Sequence, residues 1–455
     1  MHAHFQQYLP FYRRNLKLAG PIVLSQLGGT VVQLIDTLMV GRLGTKELAA
    51  VSFASSVFII AFVFANGILF GATPLVGVSY VRGERNRLVS LFQNNILLAL
   101  TGAVVISGVL LCVAKLLPHM GQPDEVVRLA TPYFMLLIAG VLPLMLFTAV
   151  KQFLEGLGNT AAAMIINIGA NLLNVLLNYV LIFGYWGFPA LGIIGAGIAT
   201  LISRLAMPMA YFVLLRVRAE WWSYCSKFAR SRFSWTYLKE LLRMGMPIGL
   251  QSFFEVTSFA FSSVMIGWIG AVPLAGNQIV NNLSNLSFMV VLGIAAATTI
   301  RVSHQMGMHD YQAVRMAANA SIHLCLLTNA ITALLFITLR VPIVTIFTTD
   351  PAVIKIGSQL LVLAGIFQLS DGMQAIGAGI LRGLADVRIT MIYAFIVYIC
   401  ICLPMGYVMA FPLGMGAAGI WTAYIASLSI AAVLFRLRYM KRFRELDQLS
   451  AKKHG

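Results

Sequence analysis

"VMIGWIGAVPLAG", residues 264–276, has a counterpart earlier in the chain. "LMVGRLGTKELAA", residues 38–50, repeats it at an offset of 226, with Met39 over Met265, Gly41 over Gly267 and Gly44 over Gly270. Three further pairs follow in order. "AGPIVL" (19–24) answers "GMPIGL" (245–250), "FLEGLGNT" (153–160) answers "ILRGLADV" (380–387), and "LGIIGAGIAT" (191–200) answers "LGMGAAGIWT" (413–422). Offsets of 222 to 227 through the whole chain mark two tandem repeats.

The 455 residues are 59% hydrophobic and only 10% charged, and the mean hydropathy is +0.86. A soluble domain of that composition would expose far too much apolar surface. Long apolar stretches recur instead, as in a polytopic α-helical membrane protein. Twelve spans are predicted, at about 16–40, 47–77, 92–114, 128–150, 161–184, 191–215, 244–268, 274–300, 316–339, 355–380, 389–411 and 416–435. At roughly 1.5 Å per residue each one crosses a hydrocarbon core of about 30 Å. Each repeat then holds six spans, an even number, so the two six-helix bundles share one orientation about an axis along the membrane normal.

The net charge of +17 does not indicate nucleic acid, because the basic residues cluster in alternate loops. Of 32 Lys and Arg, 25 lie in the N-terminus, residues 80–91, 151–160, 216–243, 301–315, 382–388 and the C-terminus. The positive-inside rule puts those segments, and both termini, in the cytoplasm. The reading is an N-terminal lobe over 1–215, a cytoplasmic linker over 216–243, a C-terminal lobe over 244–440 and a basic tail over 441–455. The first twenty residues lack an h-region, so no signal peptide is expected. The five cysteines show no metal-ligand or CxxC spacing, which argues against a disulfide framework or metal site.

Three of the fifteen acids fall well inside spans: Asp36, Glu255 and Asp371. A carboxylate in lipid costs several kcal/mol unless it is protonated, paired or facing water, so such acids read as functional by default. The repeat puts Gly29 opposite Glu255, Ser262 opposite Asp36 and Leu144 opposite Asp371. The scaffold itself therefore does not require the acids. Glu255 lies twelve residues beyond Arg243 and Asp371 eleven before Arg382, which puts both roughly 17–18 Å from the cytoplasmic edge. They can form one site for a proton or Na⁺. Asp36, nineteen residues after Lys17, sits nearer the outer face.

Asn167, Asn171, Asn174 and Asn178 form a polar stripe on one helical face, either hard oxygen ligands or interhelical glue. Gln278 and Asn282 also share a face, lining a cavity or meeting another helix. Arg204 and His323 are isolated, and each either snorkels or bonds a neighbouring helix. No GxxxxGK[ST] sequence is present, which leaves an ion gradient as the energy source.

Several stretches resemble the multidrug and toxic compound extrusion (MATE) family, in particular its NorM-like branch. They are "DTLMVG" (36–41), "FFEVT" (253–257), "GNQI" (276–279), "TIRVS" (299–303), "QLSDGMQAIGAGILRG" (368–383), and the pair "EGLGNT" and "RGLADVRIT". The resemblance spans the chain. It implies two six-helix lobes that open alternately to either side, and a cation-coupled antiporter for cationic, amphipathic drugs and dyes. It further implies a monomer in the bacterial inner membrane, with Na⁺ or H⁺ as coupling ion and no cofactor. Glu255 and Asp371 would then form the cation site of the second lobe, and Asp36 the acid of the first, with Asn174, Asn178 and Thr200 as neighbours. One departure is Phe367, where many relatives of that branch carry tyrosine.

Two alternatives compete with this reading. A lipid-linked precursor flippase of the same superfamily would need cationic residues to meet pyrophosphate, whereas three embedded acids face only Arg204. An intramembrane aspartyl protease would need GxGD, but Asp371 follows "QLS" and Asp36 follows "QLI".

Overall fold

The computed structural model describes residues 2–225 and 234–454. Twelve helical segments among them are long and apolar enough to span a membrane. The first six are α1 (His2–Gly41), α2 (Thr45–Leu69) continued by α3 (Ala72–Val81), α4 (Arg85–Leu116), α5 (Asp124–Ala139) continued by α6 (Val141–Gly156), α7 (Ala161–Phe183) and α8 (Gly192–Val217). A short α9 (Ala219–Cys225) follows. The second six are α10 (Trp235–Ile269), α11 (Ala271–Gly307), α12 (Tyr311–Thr338), α14 (Pro351–Gly383), α15 (Val387–Ala394) continued by α16 (Leu403–Ala410), and α17 (Gly416–His454). The short α13 (Arg340–Thr345) precedes α14.

The repeat is visible in the backbone. Gly44 precedes α2 at φ 155°, ψ 168°, and Gly270 precedes α11 at φ 150°, ψ 168°. This is a region that residues with a Cβ rarely enter, which explains glycine in both copies. After α6, Gly158 N–H donates to Glu155 O (2.8 Å) and Asn159 N–H to Leu154 O (2.9 Å). After α14, Ala385 N–H donates to Arg382 O (3.0 Å) and Asp386 N–H to Leu381 O (2.9 Å), the same helix-terminating turn. The first copy uses glycine for the left-handed residue, Gly158 at φ 87°, and the second strains Ala385 at φ 59°.

Two compact units emerge, one of residues 24–249 and the other of residues 1–23 with 250–455. The division thus falls inside α1 and α10 rather than in the segment 216–243, of which residues 226–233 lie outside the described residues. Small residues explain the packing within each unit. In the first, a Cβ on Gly67 of α2 would stand 2.6 Å from Gly249 Cα, and one on Gly71 would stand 2.6 Å from Gly245 N. Two glycine pairs at i, i+4 let the end of α2 and its junction with α3 touch the backbone of α10. In the second unit, a Cβ on Gly293 of α11 would lie 3.0 Å from Val23 N of α1.

The helices overrun the apolar windows read from sequence. α6 reaches Gly156, α11 reaches Gly307 and α14 reaches Gly383, so Lys151, Glu155, Arg301 and Arg382 stand on helices rather than in loops. Glu155 is only 3% exposed, with Lys151 Nζ 3.8 Å from its Oε1. It is a further acid, more deeply buried than Asp36 or Glu255, that the loop assignment 151–160 concealed.

Candidate functional site

In the second unit α10, α14 and the segment 395–402 bring Glu255, Asp371 and Tyr398 together. Residues 395–402 coil as a π-helix between α15 and α16. Pro404 follows it and has no N–H to continue the α pattern, so the ladder widens there. The Tyr398 carbonyl accepts a hydrogen bond from Ser258 Oγ of α10 (3.2 Å). The Tyr398 hydroxyl faces Glu255 and also lies within the field of Asp371. Asp371 is 4% exposed, and its Oδ1 is buried with no protein donor.

Neutral oxygens crowd the same stretch of α14. Asn329 of α12 packs against Gly372, where any side chain would collide with its amide, and donates to Gln368 O (2.6 Å). Gln368 Nε2 donates to Ser284 O (3.3 Å). The side-chain oxygens of Asn329 and Gln368 remain buried without donors, as does Asp371 Oδ1. Buried oxygens with no hydrogen to accept favour a hard cation or a proton. Phe367, one turn before Asp371, packs among Trp421 (5.5 Å), Tyr424 (5.9 Å) and Phe259 (6.2 Å). The hydroxyl near the acids comes from Tyr398 on another helix.

In the first unit Asp36 of α1 meets the asparagine stripe of α7. Asn178 Nδ2 donates to Asp36 Oδ1 (2.6 Å). The Asn174 amide lies 3.0 Å from both Asp36 oxygens and donates to them with its nitrogen turned inward, while its other end is 3.5 Å from Thr200 Oγ1. Asn167 instead ties α7 to α1 through Ser25 Oγ (2.7 Å), and Asn171 Nδ2 is buried without a partner. The stripe therefore divides: its upper half serves the acid and its lower end joins helices.

Gln278 and Asn282 are exposed on one face of α11, and neighbouring Asn277 is the residue that packs, accepting from Trp421 Nε1 (3.0 Å). Arg204 donates to Leu137 O (3.2 Å) beside the α5–α6 break and stacks over Phe58 at 5.0 Å. His323 Nδ1 is 2.8 Å from the Tyr12 hydroxyl of α1. Both isolated groups thus bond neighbouring helices. The residues that sequence reasoning missed are Tyr398, Asn329, Gln368, Gln251 and Arg382. Arg382 Nη2 reaches Gln251 Oε1 at 3.4 Å, and its charge acts on Glu255.

Two six-helix repeats, with carboxylates held among hard oxygens inside apolar helices, define a polytopic membrane transporter. The MatE family profile matches residues 21–180 and 247–408, one match in each repeat. The chain belongs to the multidrug and toxic compound extrusion family. It is 33% identical to multidrug resistance protein MdtK of Yersinia pseudotuberculosis over 440 residues, 95% of this chain and 96% of the relative. It is 34% identical to MdtK of Pectobacterium atrosepticum over 446 residues, 96% and 97% of the two chains. Among solved structures, a MOP-superfamily transporter from Pyrococcus furiosus superposes with TM-score 0.87 at 20% identity, covering 96% of this chain and 97% of that one. A single-residue variant of the Vibrio cholerae MATE transporter VcmN superposes with TM-score 0.87 at 18% identity, covering 97% and 98%.

Proposed function

We propose that this chain exports cationic, amphipathic organic compounds in exchange for Na⁺ or H⁺, with the two six-helix lobes giving access to either side in turn. The observation that carries the reading is the Glu255–Asp371–Tyr398 cluster, where half-buried Glu255 and buried Asp371 share an oxygen-rich place in one unit. The first-unit acid, Asp36, is saturated by Asn174 and Asn178 and forms the second titrating centre. The exposed polar face of Gln278 and Asn282 suits a wet, substrate-admitting cavity. Relatives named multidrug resistance protein, matched over nearly their whole length, support the drug-export reading. The bacterial source of these relatives and the twelve apolar helices support a bacterial inner-membrane protein, and the lysine and arginine distribution supports cytoplasmic termini. We infer that the chain works as a monomer, since one chain carries both six-helix repeats.

Coupling follows from differential affinity. A cation bound at the acids must favour the lobe arrangement that binds drug poorly, and drug must favour the other. Ethidium efflux from energised vesicles tests this. Glu255→Gln and Asp371→Asn each remove a charge while keeping shape, and each should lower gradient-driven efflux by at least about tenfold, the lower range of a typical coupling energy. Normal efflux by both variants would refute the proposal.

A further inference from the structure

Arg382 is a charged group with no part in the coupling scheme. It follows Asp371 by eleven residues on α14, about three turns, so the two side chains leave the same face. The positions between them on that face are Ala375 and Ala378. Across from them on α10, Gln251 and Glu255 are one turn apart on one face, with Cβ atoms about 5–6 Å apart. Arg382 Nη2 holds Gln251 Oε1 at 3.4 Å, a long bond to a neutral amide, and its buried Nε has no partner. A guanidinium so placed regains little of its lost hydration. The carboxylate within its field is Glu255, which also stands in the field of Asp371.

The repeat bears on the same point. The residue aligned with Arg382 is Glu155, beside Lys151, and the residue aligned with Glu255 is Gly29. Arginine and its facing acid thus occur together in one repeat, and the other copy has neither at the equivalent positions. Fold symmetry does not demand the arginine any more than it demands the acid.

We propose that Arg382 is a built-in competitor for the coupling cation. It rests on Gln251 while the ion or proton occupies the Glu255–Asp371 site, and moves one turn along α10 to pair with Glu255 when that site empties. The emptied lobe then returns with its carboxylate neutralised by a tethered cation instead of bare in an apolar interior. This inference rests on the cation-coupled reading of the site.

The test uses the full-length protein purified in detergent. Its thermal melting is titrated with NaCl against choline chloride at constant ionic strength, and separately with acid in Na⁺-free buffer. Removing the competitor in Arg382→Gln should lower the ion concentration for half-maximal stabilisation about tenfold, and Arg382→Lys should stay within about threefold of wild type. Gln251→Leu removes the resting place and should raise that concentration by a similar factor. An Arg382→Gln protein that melts cooperatively with an unchanged or weakened ion response overturns the proposal. If Arg382→Gln does not fold, Gln251→Leu decides alone, and an unchanged or tightened response overturns it. A wild-type protein that responds to neither Na⁺ nor acid refutes the coupling reading itself, whereas a responsive wild type with an unaltered variant refutes only the competitor.

Discussion

At the scale of single residues, the acids were legible because carboxylates are rare in apolar spans and expensive there. Asp36, Glu255 and Asp371 each stand out from neighbours that could be any mixture of Leu, Phe and Ala. Their partners were not legible. Tyr398 is one of fifteen tyrosines, and in an apolar run a tyrosine facing an acid looks like a tyrosine facing lipid. Its role predicts that Tyr398→Phe, which deletes one hydroxyl from a buried polar cluster, weakens the apparent ion affinity by about tenfold, or about 1.4 kcal/mol. The same melting titration measures it. The strained Ala385, at φ 59° where the first repeat has Gly158, predicts a stabilising change. Ala385→Gly should gain about 1 kcal/mol, read as a raised melting temperature with transport unaltered.

At the scale of helices, the twelve spans and their order were legible from hydropathy alone, because lipid demands continuous apolar runs. The helix ends were not. The apolar window closes where charge begins, but the hydrogen-bond ladder continues, so Lys151 and Glu155 ride on α6 and Arg382 on α14. Assigning them to loops hid a buried acid and an inward-facing arginine. The π-helical turn at 395–402 was equally hidden, since Pro404 marks an irregularity without giving its form. The glycine contact between α2 and α10 makes a firm prediction at this scale. Gly71→Leu drives a side chain into the backbone at Gly245, and folded protein recovered by size exclusion should fall to a small fraction of wild type. Gly108→Leu, where a Cβ meets nothing within 4 Å, is the control and should fold normally.

At the scale of the whole molecule, the internal repeat was legible because matched glycines and prolines survive where backbone geometry requires them. Gly44 and Gly270 hold nearly the same dihedrals 226 residues apart. What sequence similarity does not reveal is which bundle a helix end packs in. Residues 1–23 join the second half, and the first turns of α10 join the first, because Val23 and the pair Gly245 and Gly249 find their complementary small residues there. The charge asymmetry carries a further expectation. Alkaline phosphatase fused at the C-terminus should be inactive, and fused at Asp350 it should be active, if the termini are cytoplasmic.

The central claim is that Glu255 and Asp371 bind the cation whose gradient drives export. The most direct measurement is ethidium transport by purified protein in proteoliposomes under an imposed Na⁺ gradient and, separately, an imposed pH gradient. One of the two gradients should drive wild-type transport, and Asp371→Asn should abolish that response while still binding ethidium within a few-fold of wild type. Gradient-driven transport by Asp371→Asn at the wild-type rate would contradict the claim.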